Sequence, residues 1–144
     1  MKKLFILASL FTVQAQAAYW VELSSNRDDT SSQMVFDVDA TSIQYRDGLV
    51  QAWLRFSTNK PTKLLSPPYS AYKSYLSLTH FDCKLSESTA SQTTYYSEEV
   101  GGGEILYTDS IKRSFIKDRM TPAIPGTLGE ANLKKVCAMA GAKK

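Results

Sequence analysis

The chain has 144 residues and a formal net charge of +3, because 17 lysines and arginines oppose 14 aspartates and glutamates. This length allows one domain of ordinary size with a real hydrophobic core. A hydrophobic content of 43% with 22% charged residues excludes a disordered or fibrous chain. One histidine and two cysteines nearly exclude a zinc site made only of protein ligands, and a charge of +3 is too small to indicate a nucleic-acid partner.

The first 17 residues have the pattern of a secretory signal peptide. Two lysines precede an apolar run at 4–13, and Ala15-Gln16-Ala17 is a small-x-small cleavage site. The run is too short to cross a bilayer about 30 Å thick. We therefore predict a signal peptide at 1–17 and a single domain at 18–144, exported to the periplasm or the cell surface.

The predicted mature chain carries no signal for membrane attachment. A lipid anchor would require a cysteine directly after the cleavage point, where Ala18 and Tyr19 stand. No second apolar stretch approaches the length of about 18 residues that a spanning helix needs. We expect neither a membrane span nor a lipid anchor.

The N-terminal half of the mature chain reads as short strands. Residues 19–23 and 34–36 are aromatic and β-branched, and a polar loop separates them. Asp47-Gly48 lies between the β-like runs 43–46 and 49–56, which predicts a hairpin with a type I′ turn.

Longer strands follow. The three prolines within 59–70 predict a loop that cannot be a central strand. Residues 72–83 alternate with period two, and 88–97 suits an antiparallel partner with one solvated face. Beyond a glycine turn at 101–103, we predict a strand at 104–107 and a proline-bounded connector at 121–125.

One clear helix ends the chain. Thr127 and Glu130 form a capping box, in which the threonine hydroxyl accepts from a first-turn amide and the glutamate accepts from the amide of the cap residue. An apolar stripe recurs at helical spacing and consists of Leu133, Val136, Cys137 and Ala140. The predicted architecture is α+β: an antiparallel sheet of about six strands with a C-terminal helix packed on it.

Cys83 and Cys137 are the two cysteines, and an oxidising compartment favours a disulfide between them. The bond would join the end of the long strand to the helix and stabilise the fold by about 4 kcal/mol in the chain-entropy model. The alternative, a catalytic thiol, needs a neighbouring base, and His80 is the single histidine.

Candidate catalytic and metal groups are sparse. His80 and Asp82 lie two apart on one strand face and could form a base with its orienting carboxylate, but no motif marks a nucleophile. Asp28-Asp29 and the pair Asp37 and Asp39 lack the spacing of an EF-hand. We therefore predict neither an enzyme nor a cofactor nor a metal site. Tyrosines suit a recognition surface as well as strand packing: Tyr69, Tyr72, Tyr75, Tyr95 and Tyr96.

The charge is unevenly distributed. Residues 18–109 carry seven basic and twelve acidic groups, whereas residues 110–144 carry eight basic and two acidic groups. A basic end beside an acidic body could steer an anionic partner, or it could simply keep the helix soluble. The candidate partner-binding basic patch comprises Lys112, Arg113, Lys117, Arg119, Lys134, Lys135, Lys143 and Lys144.

Several short motifs in a fixed order resemble the surface-adhesin protein E family of exported Gram-negative bacterial proteins. The likeness spans about residues 19–140 and rests on Asp-x-x-Ser-Ile at 39–43, Asp47-Gly48, Val-x-x-Trp at 50–53, Asp82-Cys83, and the stretch from Pro125-Gly126 to Cys137. The resemblance implies an antiparallel sheet with a C-terminal helix and paired cysteines. It also implies an outer-membrane adhesin that forms dimers and binds host vitronectin, laminin and plasminogen.

Two functional classes follow. The first is a noncatalytic exported binding protein, adhesin-like, that recognises a protein or glycan ligand of the host matrix or cell envelope. The alternative is a structural or assembly component of a periplasmic or outer-membrane complex. A homodimer is possible in either class.

Overall fold

The computed structural model describes residues 17–27, 31–65, 68 and 70–141. Three single turns of 3-10 helix lie at Glu99–Gly101, Arg113–Phe115 and Lys117–Arg119. The predicted signal peptide, except Ala17, lies outside the described residues, so the signal peptide and the domain bounds stay predictions. Within the described residues the strands and the helix are β1 Trp20–Ser25, β2 Met34–Asp39, β3 Gln44–Arg46, β4 Leu49–Lys63, β5 Ala71–Asp82, β6 Glu87–Tyr96, β7 Ile105–Ser110, β8 Thr121–Pro122 and α1 Leu128–Gly141.

The described strands form one antiparallel sheet. Six of them follow the order β1-β2-β4-β5-β6-β7, while β3 pairs with β4 and β8 pairs with β6. The predicted α+β fold with a C-terminal helix is confirmed. The sheet has eight strands rather than about six because β3 and the two-residue β8 add to the six-stranded path.

The predicted hairpin joins β3 to β4. Arg46 pairs with Leu49, which leaves Asp47 and Gly48 as the two turn residues. Their φ angles are +54° and +84°, so both central residues occupy the left-handed region that a type I′ turn requires. Glycine adopts this conformation without steric cost, and aspartate tolerates it.

β4 is longer than the sequence suggests. The predicted loop at 59–70 is wrong for residues 59–63, which continue the strand to Lys63. Pairing with β2 ends at Thr58, and the pairing with β5 is irregular between Ser57 and Thr62. Pro61 therefore lies where no neighbouring strand needs its missing amide hydrogen, a position in which a strand tolerates proline.

Helix α1 packs on one face of the sheet, against β1 and β4. Val50 and Ala52 point to this face and are 1% and 0% exposed. Three residues of the predicted stripe, Leu133, Val136 and Ala140, are 2% exposed or less and join the same core. Since burying one valine or leucine side chain contributes about 1.5–3 kcal/mol, packing on the sheet stabilises this 14-residue helix more than its intrinsic propensity does.

The predicted disulfide is confirmed. Cys83 directly follows β5, Cys137 lies on α1, and their Cα atoms are 5.8 Å apart. The bond ties the helix to the end of β5, whereas the hydrophobic core holds it against β1 and β4. Since Phe81 of β5 belongs to the same core as Leu133, Val136 and Ala140, the disulfide adds a covalent link to a strand that this core also includes.

The helix begins with a modified capping box. The Glu130 amide donates to the Thr127 hydroxyl over 3.3 Å, as predicted. The Glu130 carboxylate, however, accepts from the amide of Gly126 (2.8 Å) and not from that of Thr127. The Thr127 amide already donates to the Ile124 carbonyl, so the predicted bond to the cap residue is wrong.

A row of aromatic rings crosses the helix-covered face of the sheet. Phe36, Phe56, Tyr75, Tyr95 and Tyr107 are direct cross-strand partners from β2 to β7. Successive ring centroids are 4.9, 5.0, 5.6 and 6.3 Å apart. Burial raises the pKa of the Tyr75 hydroxyl, in keeping with this packing. These tyrosines therefore stabilise the sheet, since aromatic pairs are among the most favourable cross-strand contacts.

Candidate binding cavity on the face opposite the helix

A cavity of about 290 Å³ lies on the sheet face opposite α1, which we call the cavity face. Gln51 lines it and alternates along β4 with Val50 and Ala52, which enter the core on the other face. Its cross-strand partner His80 lines the same cavity. Residues 113–119, which we call the 3-10 segment, fold back over this part of the sheet and contribute Arg113, Ile116 and Lys117 to the walls.

The cavity floor is polar but uncharged. The Nε2 atom of His80 lies 2.8 Å from the hydroxyl of Ser91, and His80 as a residue is only 6% exposed. The Ser91 hydroxyl donates to the Leu78 carbonyl over 3.3 Å. The imidazole and this hydroxyl form one hydrogen bond, and which of the two donates depends on the tautomer of His80. His80, Ser91 and the Leu78 carbonyl thus form one polar network on the floor of the cavity.

The cavity rim consists of Arg46, Asp47, Arg113 and Lys117. Arg113 donates from Nε (3.1 Å) and from Nη2 to the Asp47 carboxylate. This hydrogen bond, followed by the charge of the guanidinium, holds the pKa of Asp47 below its usual value. One carboxylate therefore faces three cations, and the rim has an excess of positive charge.

The rim and the burial together keep the floor neutral. Burial lowers the pKa of His80, and the positive charges of Arg113 and Arg46 lower it further. Asp47 opposes this shift through its negative charge. A neutral imidazole beneath a rim of three cations and one carboxylate leaves an excess of positive charge, so the arrangement favours an anionic ligand.

Apolar side chains complete the cavity and position its rim. Leu49 and Leu78 line it from the sheet, and Ile111 and Ile116 line it from the chain that follows β7. Ile116 is 7% exposed and lies between the two turns of the 3-10 segment. Its burial fixes the segment on the sheet and thereby places Arg113 and Lys117 at the rim.

The structure divides the predicted basic patch between two places. Arg113 and Lys117 reach the cavity, while Lys112 and Arg119 lie exposed on or beside the 3-10 segment. Lys134 and Lys135 lie on α1; Lys134 pairs with Glu130, and Lys135 donates to the Leu23 carbonyl. That carbonyl belongs to a bulge where β1 and β2 lose register. Lys143 and Lys144 lie outside the described residues.

The carboxylates considered for chemistry have structural partners. The Asp82 carboxylate accepts from the amides of Lys84 (2.9 Å) and Leu85 (3.0 Å), so it shapes the turn after β5 and does not orient His80.

The calcium candidates are likewise occupied where the structure describes them. Asp37 pairs with Arg55 at 2.8 Å, and Asp39 accepts from the amides of Tyr19 and Thr41. Asp28 and Asp29 lie outside the described residues.

No helix in the described residues is long and apolar enough to cross a bilayer. In the same part of the chain, no group of three or more histidine, cysteine, aspartate or glutamate side chains is placed to hold a metal ion.

The sequence and the fold were compared with known proteins. The sequence profile of the family described as Surface-adhesin protein E matches residues 20–138. No curated protein matches the sequence significantly.

Two solved structures of Haemophilus influenzae protein E are similar to this chain. The first is 18% identical with a TM-score of 0.51, and the match covers 74% of this chain and 80% of that one. The second, crystal form II, is 19% identical with a TM-score of 0.52, and the match covers 74% and 82%. The structural likeness shows a shared fold, and the family profile covers most of the sequence. This chain therefore belongs to the surface-adhesin protein E family.

Proposed function

We propose that this chain is a noncatalytic binding protein that recognises a protein or glycan of the host matrix or cell envelope through its cavity face. As a member of the surface-adhesin protein E family it is an adhesin-like, exported surface protein.

One observation carries the proposal: the cationic rim of Arg46, Arg113 and Lys117 over a neutral polar floor. A concave site with apolar walls and a few convergent polar groups is the usual form of a ligand site. His80 and Ser91, 2.8 Å apart on the floor, add hydrogen-bonding groups to this site. Basic groups clustered at a cleft also speed association with anionic partners.

The test is the binding of purified protein to an immobilised extracellular-matrix preparation, with two variants of equal charge change. One variant carries Lys112→Glu, Lys117→Glu and Arg119→Glu beside the cavity. The matched control carries Lys60→Glu, Lys63→Glu and Lys84→Glu, which are also exposed but do not line it.

Saturable binding that only the first variant weakens, and that weakens as salt rises, would support the proposal. Equal binding by both variants would remove the cavity face from the contact.

A second candidate is a subunit of an envelope assembly. Within the described residues β7 pairs only with β6, so one of its edges is open. Ile105 and Tyr107 on this strand are 65% and 36% exposed. An open edge with exposed apolar side chains can pair with another chain. Crosslinking in intact cells, with gel filtration of the wild type and of Ile105→Lys, separates this candidate from the first.

A further inference from the structure

We propose that the cavity binds one acidic sugar residue, a pyranose with a carboxylate of the uronic-acid class. The carboxylate would lie against Arg46 and Lys117, and the ring hydroxyls would lie on the polar floor. This inference rests on the proposed function, because it names the ligand class of the same site.

The carboxylate is assigned from the charges of the rim. Asp47 engages the Nε and Nη2 atoms of Arg113 and fixes the orientation of that guanidinium. Arg46 and Lys117 line the cavity, and neither forms an ion pair among the described residues. Arginine binds carboxylates with two parallel hydrogen bonds, and lysine adds a point charge. Two cations without ion pairs in the described part of the chain favour an anionic group on the ligand, and a carboxylate is the anionic group of a uronic acid.

The sugar is assigned from the floor and walls. Gln51, Gln92 and Ser110 line the cavity, and each offers both a donor and an acceptor. Hydroxyl groups need both, whereas an inorganic phosphate dianion mainly needs donors. Leu78 and Ile116 supply apolar surface for the C–H groups of a sugar ring.

The size of the cavity limits the ligand. A volume of about 290 Å³ lies just below the range of roughly 300–1000 Å³ found for small-molecule sites. This is room for one sugar unit and not for a folded peptide segment. An acidic polysaccharide would therefore present a single residue to the cavity.

The experiment is an NMR titration of the purified protein with sodium glucuronate, alongside methyl β-D-glucoside, acetate and inorganic phosphate. We expect glucuronate to shift the His80 ring signals saturably and to bind about tenfold more tightly than each of the other three. Arg46→Gln and Lys117→Gln, both at exposed positions, should each weaken glucuronate binding about fivefold. Lys84→Gln, exposed and outside the cavity, is the matched control.

A second variant tests the sugar ring separately from the charge. Gln92→Met keeps the side-chain length and removes the amide, so it should weaken glucuronate and leave acetate unchanged. Equal affinity for acetate, phosphate and glucuronate would overturn the sugar assignment. Absence of saturable glucuronate shifts, or indifference to both rim variants, would overturn the site. If matrix binding still depends on the charge reversals while glucuronate does not bind, this inference fails and the proposed function stands.

Discussion

Removing the disulfide should cost about 4 kcal/mol of unfolding free energy. Cys83 and Cys137 are separated by 54 positions in sequence. For a loop of this length the chain-entropy model gives about 14 cal/mol/K, or about 4 kcal/mol at 25 °C. Cys83 is exposed and Cys137 half-buried, so their replacement leaves little cavity, and the loss comes mainly from the freed unfolded chain.

The perturbation is the double variant Cys83→Ser with Cys137→Ala, which leaves no unpaired thiol. Urea unfolding, followed by tryptophan fluorescence and circular dichroism, measures the loss. With a slope near 2 kcal/mol/M, the unfolding midpoint should fall by about 2 M urea. Reduced wild-type protein is the control and should unfold with the variant.

Two results would refute this reasoning. An unchanged midpoint would mean that the bridge does not restrict the unfolded chain. A loss in the double variant but not in reduced wild type would assign the effect to the replaced side chains.

Three further predictions concern stability and pH. Leu133→Ala should lower the free energy of unfolding by about 2–5 kcal/mol, because it leaves a cavity at a core position that is 2% exposed. Lys134→Ala, at an exposed position, should lower it by well under about 1 kcal/mol, and urea unfolding compares the two variants. Gly48→Ala should lower the free energy of unfolding by about 1 kcal/mol and Gly48→Asn by less, because the cost comes from the φ of +84° and not from crowding. Equal stability of the two variants in thermal unfolding would contradict this reason. The folded-state pKa of His80 lies below its ordinary value of 6.5, so the unfolded chain binds the proton first and stability falls as pH drops below about 6.5. Unfolding curves from pH 8 to 5 should show this fall in wild type and a flatter dependence in His80→Gln; the same fall in both would assign it to other groups.

Local sequence signals predicted much of the scaffold. A type I′ turn needs positive φ at two successive residues, and Asp47-Gly48 can adopt that conformation in any fold. The spacing of Leu133, Val136 and Ala140 places them on one face of a helix, whatever surface that face packs against. Export and the cysteine count together indicated the disulfide, since an oxidising compartment favours the pair.

Elements whose limits depend on neighbours were predicted less well. The prolines, Pro61 among them, predicted a loop. β4 nevertheless continues through Pro61, because its pairing with β2 ends at Thr58 and no partner strand needs the missing amide hydrogen. Glu130 predicted a capping box in which its carboxylate accepts from the Thr127 amide. It accepts from the Gly126 amide instead, because the Thr127 amide already donates to the Ile124 carbonyl. In both cases the outcome depends on which backbone groups remain unpaired, and pairing is a property of the folded chain.

The sequence by itself predicted export and determined the class of the fold: α+β, with a helix packed on an antiparallel sheet and a basic C-terminal region. Only the tertiary structure decided which basic groups face a common site. Arg46, His80 and Arg113 meet because the register of β4 with β5 aligns Gln51 with His80, and because buried Ile116 folds the 3-10 segment back over the sheet. Charge is a property of composition, but a binding site requires that charges converge, and long-range packing alone brings such distant residues together.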